Sequence, residues 1–316
     1  MNFRVLFIDS THPVLPDLLH SYGCECDLFF SKTYKDYCEI IDNYQGVVIR
    51  SGIPFDKNII DKAKELKFIA RVGAGMENID VDYAASKGIQ CLNSPEGNRI
   101  AVAEHAIGML LALNNRILIA DQEVRKGIWI REENRGIELN GKTLGIIGYG
   151  NMGSAFAKRL STFGLKILAY DKYKKNFAPS YVEECNMEEI FDKSDFVSLH
   201  IPLTGETKYL VNKNWISSFR KPFVLLNTAR GPIVKSDDLV EALKSGKITG
   251  ACLDVIEYEE TSFEKTSIAD TETFDFLKKS EKVILTPHIA GWTHESNIKL
   301  SVFLAEKIKK VIDFLT

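Results

Sequence analysis

Five charged or titratable residues fall where short apolar runs end: Arg230 in NTARG, Asp254 in CLDV, Glu257 and Glu259 just beyond it, and His288 in TPHIAG. A buried sheet avoids such residues unless they work. Hydride transfer to a 2-oxo acid asks little of a protein: a cation for the carboxylate and carbonyl, an acid for the developing alkoxide, and a group to hold that acid in range. Arginine offers a planar fork matched to a carboxylate, and histidine titrates near neutrality, with a carboxylate partner favouring its imidazolium. Arg230, His288 and a nearby carboxylate fit these roles.

A second constellation names a hydride carrier. Residues 143–147 form a short apolar run that leads into Gly148-Tyr149-Gly150-Asn151-Met152-Gly153. In a dinucleotide-binding turn the first glycine makes the bend, the second admits a pyrophosphate, and the third lets the helix close on the strand. The pyrophosphate would rest on the amides and positive dipole end of that helix. Asp171 follows Gly153 by 18 residues, at the end of the next apolar run. That is near the roughly 20 residues expected of the acid that binds the ribose hydroxyls. A carboxylate there accepts from a free 2′-hydroxyl and repels a 2′-phosphate, so NAD is expected over NADP, although Lys172, Lys174 and Lys175 could offset part of that repulsion.

These residues need strands to end on. Apolar runs at 5–8, 46–49, 67–72 and 89–92 alternate with amphipathic segments, and six more follow at 143–147, 166–170, 195–200, 223–227, 249–254 and 283–286. Strands alternating with helices predict two doubly wound parallel-sheet units, and the six later strands are the count of a dinucleotide-binding sheet. The expected organisation is a discontinuous domain, residues 1–97 plus 289–316, around a nucleotide-binding domain, residues 98–288, with the active site in the cleft. Between the units, residues 98–116 read as a helix apolar nearly all round, buried between domains or subunits. His105 on it reads as a satisfied buried side chain. Residues 121–140 are polar and read as an arm. Residues 295–314 read as an amphipathic helix carrying Leu300, Leu304, Ile308, Val311 and Leu315 on one stripe and docking on the first unit. Residues 259–282 read as a surface loop or short helix.

Composition bounds the rest. The chain has 316 residues, 45% hydrophobic and 26% charged, with a net charge of −3. No basic field recruits nucleic acid or an anionic membrane, and the greasiest stretch, 101–119, is broken by Glu104, His105, Asn114, Asn115 and Arg116. The first residues lack a signal peptide's apolar core, so the expected location is cytoplasmic. Six cysteines without zinc or redox spacing read as reduced small hydrophobes, and no metal is expected.

The motifs RVGAGMENID, NSPEGN with AVAEH, GKTLGIIGYGNMG, SLHIPLT, NTARGPIV, GKITGACLDV and TPHIAGWT together resemble the D-isomer-specific 2-hydroxyacid dehydrogenase family over nearly the whole chain. The resemblance implies a catalytic triad of Arg230, Glu259 and His288. Glu257 competes with Glu259, because the family's acidic run is usually closed by a Glu-Pro pair and here Glu260 follows. It implies cofactor contacts at Gly148 to Gly153, Asp171, His200, Pro202, Thr207, Thr228, Ala229, Asp254 and Gly291. It implies substrate contacts at Val72, Gly73, Ala74 and Gly75, whose amides can form an anion nest, and at Asn98. Within the family, Arg50 with Ser51 and Arg131 in the WIR run look most like phosphoglycerate dehydrogenases, since a phosphate at the far end of the substrate calls for arginines. Two rival readings remain: a reductase of glyoxylate, hydroxypyruvate or a larger 2-oxo acid, and an NAD-sensing corepressor-like protein. The family further implies a homodimer built through the nucleotide domain. A chain ending after its docking helix would lack a C-terminal regulatory domain, and no serine inhibition is expected.

Overall fold

The computed structural model describes residues 3–259 and 271–315. The chain divides into two compact units, one of residues 3–99 and 292–315, the other of residues 100–259 and 271–291. The ten expected strands form close to where the apolar runs lie, because each run is short and bounded by polar or glycine residues, and most are buried on both faces.

In the first unit β1 (Phe3–Phe7), α1 (Val14–Ser21), β2 (Cys24–Leu28), α2 (Tyr34–Ile40), β3 (Gly46–Ile49), α3 (Lys57–Lys62), β4 (Phe68–Arg71), α4 (Val81–Ser86) and β5 (Gln90–Asn93) build a five-stranded parallel sheet in the order β2-β1-β3-β4-β5. β2 is an addition to the expected set. As an edge strand it keeps only Cys24 fully buried, and CECDL shows no apolar run.

The helix α5 (Pro95–Asn114) begins in the first unit and continues into the second. It starts at Pro95 rather than at residue 98, since proline suits the first helical position, where no amide partner is required. Its Ala103, Ala106, Met109 and Leu110 enter the core of the second unit. Arg116, at φ 51°, breaks the chain into α6 (Ile117–Arg125), so part of the expected arm is helical. No single helix among the described residues is long and apolar enough to cross a membrane; α5 and α6 pass together on length and composition but bend by 62°.

The second unit continues with β6 (Thr143–Ile147), α7 (Asn151–Leu160), β7 (Lys166–Tyr170), β8 (Glu183–Glu184), α8 (Met187–Lys193), β9 (Phe196–Leu199), α9 (Lys213–Ser217), β10 (Phe223–Asn227), α10 (Ser236–Ser245), β11 (Ile248–Leu253), α11 (Glu272–Lys279) and β12 (Val283–Leu285). Its parallel sheet runs β12-β11-β10-β9-β6-β7-β8. There are seven strands, not six: the exposed two-residue β8 pairs with β7 at the edge and carries no apolar signal. The strand order turns about the β6/β9 pair, which makes the carboxyl end of β6 a topological switch point, where such sheets bind ligands. Of the expected 259–282 loop, α11 is helical, and residues 260–270 lie outside the described residues.

The terminal helix α12 (His294–Leu315) packs in the first unit, with Leu304, Ala305, Ile308, Val311 and Ile312 buried beside Leu15, Leu19, Phe68 and Ala70. Leu315 leaves the expected stripe and is 39% exposed, because Ile312 takes the inner position of the last turn.

Candidate active site

At the end of β6 the glycine turn is dictated by close approaches. Gly148 sits at φ 92°, and a Cβ there would lie 2.5 Å from the His200 carbonyl oxygen. A Cβ on Gly153 would lie 2.1 Å from the Gly148 oxygen, so α7 can close on the strand only without one. Gly150 is the opposite case. It caps α7 with no side-chain hydrogen bond, and a Cβ there would meet open space. The first-turn amides of α7, at Asn151, Met152 and Gly153, have no partner within the helix and suit an anion.

Around this turn the neighbouring loops are tied down. The Asp171 carboxylate accepts from the amides of Tyr149 (2.9 Å), Tyr173 (3.0 Å) and Lys174 (3.1 Å), which fixes the turn after β7 against the glycine turn. Tyr149 points inward and stacks on Phe177. Burial pushes its phenol up to about 12. Desolvation holds the half-buried His200 ring down to about 4, hence neutral, with Nε2 2.9 Å from Ser198 Oγ. Thr207 donates to the Pro202 carbonyl at 2.6 Å and closes the loop after β9. In NTARG, Asn227 is fully buried; its carboxamide accepts from the Ala229 amide and donates to the Arg230 carbonyl, each at 3.0 Å. Thr228 Oγ1 is buried with no partner among the described residues. An orphaned hydroxyl, an open glycine cap and a helix N-terminus at one switch point fit a dinucleotide.

At the ends of β11 and β12 the structure pairs His288 with Glu259: Nδ1 and Oε2 are 2.7 Å apart, both side chains half-buried. The other oxygen of Glu259 accepts from the Ile256 amide, so the carboxylate is fixed at both ends. Glu257 turns elsewhere and accepts from the Ser236 amide at 2.9 Å. With Nδ1–H donated to a carboxylate, the acceptor nitrogen of the neutral imidazole is Nε2. His288 also sits at φ 55°, a left-handed conformation that costs a non-glycine residue about 1 kcal/mol. Asp254, 1% exposed, holds it there. Its carboxylate accepts from Thr286 Oγ1 (2.6 Å) and from the amides of Ile289 and Ala290 (2.9 Å each), while its carbonyl accepts from the His288 amide (2.8 Å). His105, as expected of a satisfied side chain, meets Thr286 Oγ1 at 3.0 Å. Arg230 Nη1 donates to the Ala229 carbonyl at 2.6 Å, at the end of β10, beside β11 in the sheet. Gly291 follows directly on the turn that Asp254 holds.

The first unit carries a different arrangement at the ends of β3 and β4, where Ile49 and Arg71 are paired in register. The carbonyls of Gly73, Ala74, Gly75 and Met76 all face protein donors: the Ser94 amide, Asn93 Nδ2 (2.6 Å), Arg71 Nη1 (2.7 Å) and the Ile79 amide. In a planar trans peptide the N–H points opposite the carbonyl. The amides of Ala74, Gly75 and Met76 therefore turn the other way, and none has a partner among the described residues. The Val72 and Gly73 amides are already used, on the carbonyls of Ile49 and Arg71, so the nest is shifted toward Met76. Next to it, Asp9 accepts from the amides of Arg50 (2.5 Å) and Gly52 (3.2 Å), and the Arg50 guanidinium lies 4.5 Å from the centre of the Trp292 ring. Ser51 belongs to this same loop. Asn98 lies in the first turns of α5 with a buried, orphaned Oδ1. Arg131 belongs to the second unit, exposed on the stretch after α6.

Asp9, Arg71, Asn93 and Asn227 were missed by the sequence reading. Their partners are main-chain groups, mostly far along the chain; Arg71, Asn93 and Asn227 lie inside the motifs RVGAGMENID, NSPEGN and NTARG, and only Asp9 lies in none. The six cysteines are free thiols, and burial raises Cys26 and Cys185 to about 12, away from reactivity.

The chain is similar to known proteins in sequence and in fold. The sequence profile of the D-isomer-specific 2-hydroxyacid dehydrogenase NAD-binding domain matches residues 107–290. The chain is 36% identical over 312 residues to a D-3-phosphoglycerate dehydrogenase of Methanocaldococcus jannaschii, covering 98% of this chain but 57% of that protein, so it spans little more than half of that relative's length. It is 39% identical over 272 residues to a hydroxypyruvate reductase of Thermotoga maritima, covering 86% of each. Among solved structures, a D-lactate dehydrogenase of Aquifex aeolicus complexed with NAD and lactic acid superposes with a TM-score of 0.83 at 29% identity, over 98% of this chain and 95% of that one. The chain thus belongs to the D-isomer-specific 2-hydroxyacid dehydrogenase family and carries that family's NAD-binding domain.

Proposed function

We propose that the chain is an NAD-dependent dehydrogenase interconverting D-3-phosphoglycerate and 3-phosphohydroxypyruvate, working in the cytoplasm as a homodimer. The observation that carries the dehydrogenase reading is the His288–Glu259 pair on its strained turn. NAD, when bound, supplies the hydride acceptor at its nicotinamide ring. His288 Nε2 takes the hydroxyl proton from the substrate, and Glu259 stabilises the imidazolium that results. Arg230 pairs with the carboxylate and polarises the forming carbonyl. In the first unit, the Ala74, Gly75 and Met76 amides are donors suited to a carboxylate. Asp254 acts through the turn, keeping His288 in its left-handed conformation.

The phosphate reading rests on Arg50, whose loop is held by Asp9 beside the amide nest, and on the M. jannaschii relative. A hydroxypyruvate reductase is the second reading. It is favoured by the T. maritima relative, which this chain matches over most of both lengths. Ile117, Leu118, Val124, Trp129 and Ile137, all exposed and apolar on α6 and the stretch after it, support the homodimer.

His288→Asn is the direct test. Loss of the proton-transfer group should cut kcat roughly 100- to 10,000-fold while the NADH dissociation constant stays unchanged. Near-normal turnover would remove His288 from the mechanism.

A further inference from the structure

Asp171 alone does not decide between NAD and NADP, because three lysines follow within four residues of it. A 2′-phosphate is close to a dianion at neutral pH, and beside a carboxylate it binds only if a cation is at hand. The structure shows where two of those cations go. Lys174 Nζ reaches back to the Tyr149 carbonyl at 2.9 Å. Lys172 Nζ lies 2.6 Å from Glu206 Oε2, and the same oxygen accepts from the Tyr173 hydroxyl at 2.9 Å. Glu206 sits on the loop after β9 that Thr207 folds, so one carboxylate gathers both residues that directly follow Asp171.

We propose that Glu206 is a cofactor-specificity residue: by holding the Lys172 ammonium on the 202–207 loop it cancels the charge that would otherwise receive a 2′-phosphate. This deepens the cofactor assignment of the same site and rests on it. Exclusion of NADP is then shared between two acids. Asp171 repels the phosphate directly, and Glu206 neutralises one of the cations that follow it. Lys172 and Glu206 are both more than half exposed, so water and salt screen the pair and the effect is modest.

The test is direct binding of NADH and of NADPH, followed by fluorescence titration, to the wild-type protein, Glu206→Gln, and Glu206→Gln combined with Lys172→Gln. Glu206→Gln should tighten NADPH roughly fivefold and leave NADH within about twofold, and the gain should shrink at high salt. Adding Lys172→Gln should abolish the gain. An unchanged NADPH affinity overturns the proposal. So does equal weakening of both cofactors, which would make Glu206 a loop tether only, or a gain that survives loss of Lys172. Failure of the wild-type protein to bind NADH would instead strike the cofactor assignment itself.

Discussion

Two strand ends in this molecule offer backbone amides to an anion, and they are built in opposite ways. The turn after β6 is held by absence of side chains: Gly148 and Gly153 approach backbone so closely that a Cβ at either would collide, and a ten-residue helix follows to align the amides. The loop after β4 has no such helix directly behind it. Two side chains, Arg71 at the end of β4 itself and Asn93 from β5, pull its carbonyls inward and leave the amides of Ala74 to Met76 facing out. The first device is rigid and specified by its own sequence. The second is borrowed from neighbouring strand ends and is adjustable.

That contrast ranks the effects of substitution. Gly153→Ala puts a methyl 2.1 Å from a backbone oxygen that cannot rotate away. Overpacking of this kind costs roughly 1–3 kcal/mol, so the melting temperature should fall by several degrees and NADH affinity by at least about tenfold. Unchanged NADH binding in a folded Gly153→Ala protein would break the comparison. Arg71→Met comes next. It removes the donors to the Arg50 and Gly75 carbonyls and leaves the nest without its staple, so KM for any 2-oxo acid should rise by about tenfold. NADH affinity should be untouched, because Arg71 belongs to the other unit. Gly73→Ala should be mildest. The nearest atoms to its methyl would be those of the Arg71 guanidinium, the far end of a flexible side chain, with Nη1 at 2.6 Å and Cζ at 3.3 Å, so a rise in KM of about threefold with no loss of stability is expected. A Gly73→Ala effect as severe as that of Gly153→Ala would show that both turns are equally rigid.

The same contrast explains what the sequence revealed. A parallel sheet buried on both faces writes itself as short apolar runs, which is why ten strands could be read. The edge strands β2 and β8 could not, since CECDL and a lone Glu-Glu pair lack the run. Glycines that touch backbone must recur at fixed spacing, so GYGNMG was legible. Asn93 reaches the nest from 19 residues away through a tertiary contact, and Arg71, four residues before Gly75, is not marked as its staple by spacing alone. The pairing of His288 with Glu259 rather than Glu257 likewise depends on how residues 255–259 turn, which places Glu257 on the Ser236 amide instead.

The measurement that bears most directly on the proposed function is NADH oxidation by the purified protein with 3-phosphohydroxypyruvate, hydroxypyruvate, glyoxylate and pyruvate, repeated with Arg50→Ala. We expect the phosphorylated substrate to give the highest kcat/KM, and Arg50→Ala to erase that preference while the unphosphorylated acids keep their rates. Preference for hydroxypyruvate or glyoxylate in the wild-type protein would contradict the substrate assignment, and no turnover with any of the four would contradict the dehydrogenase itself.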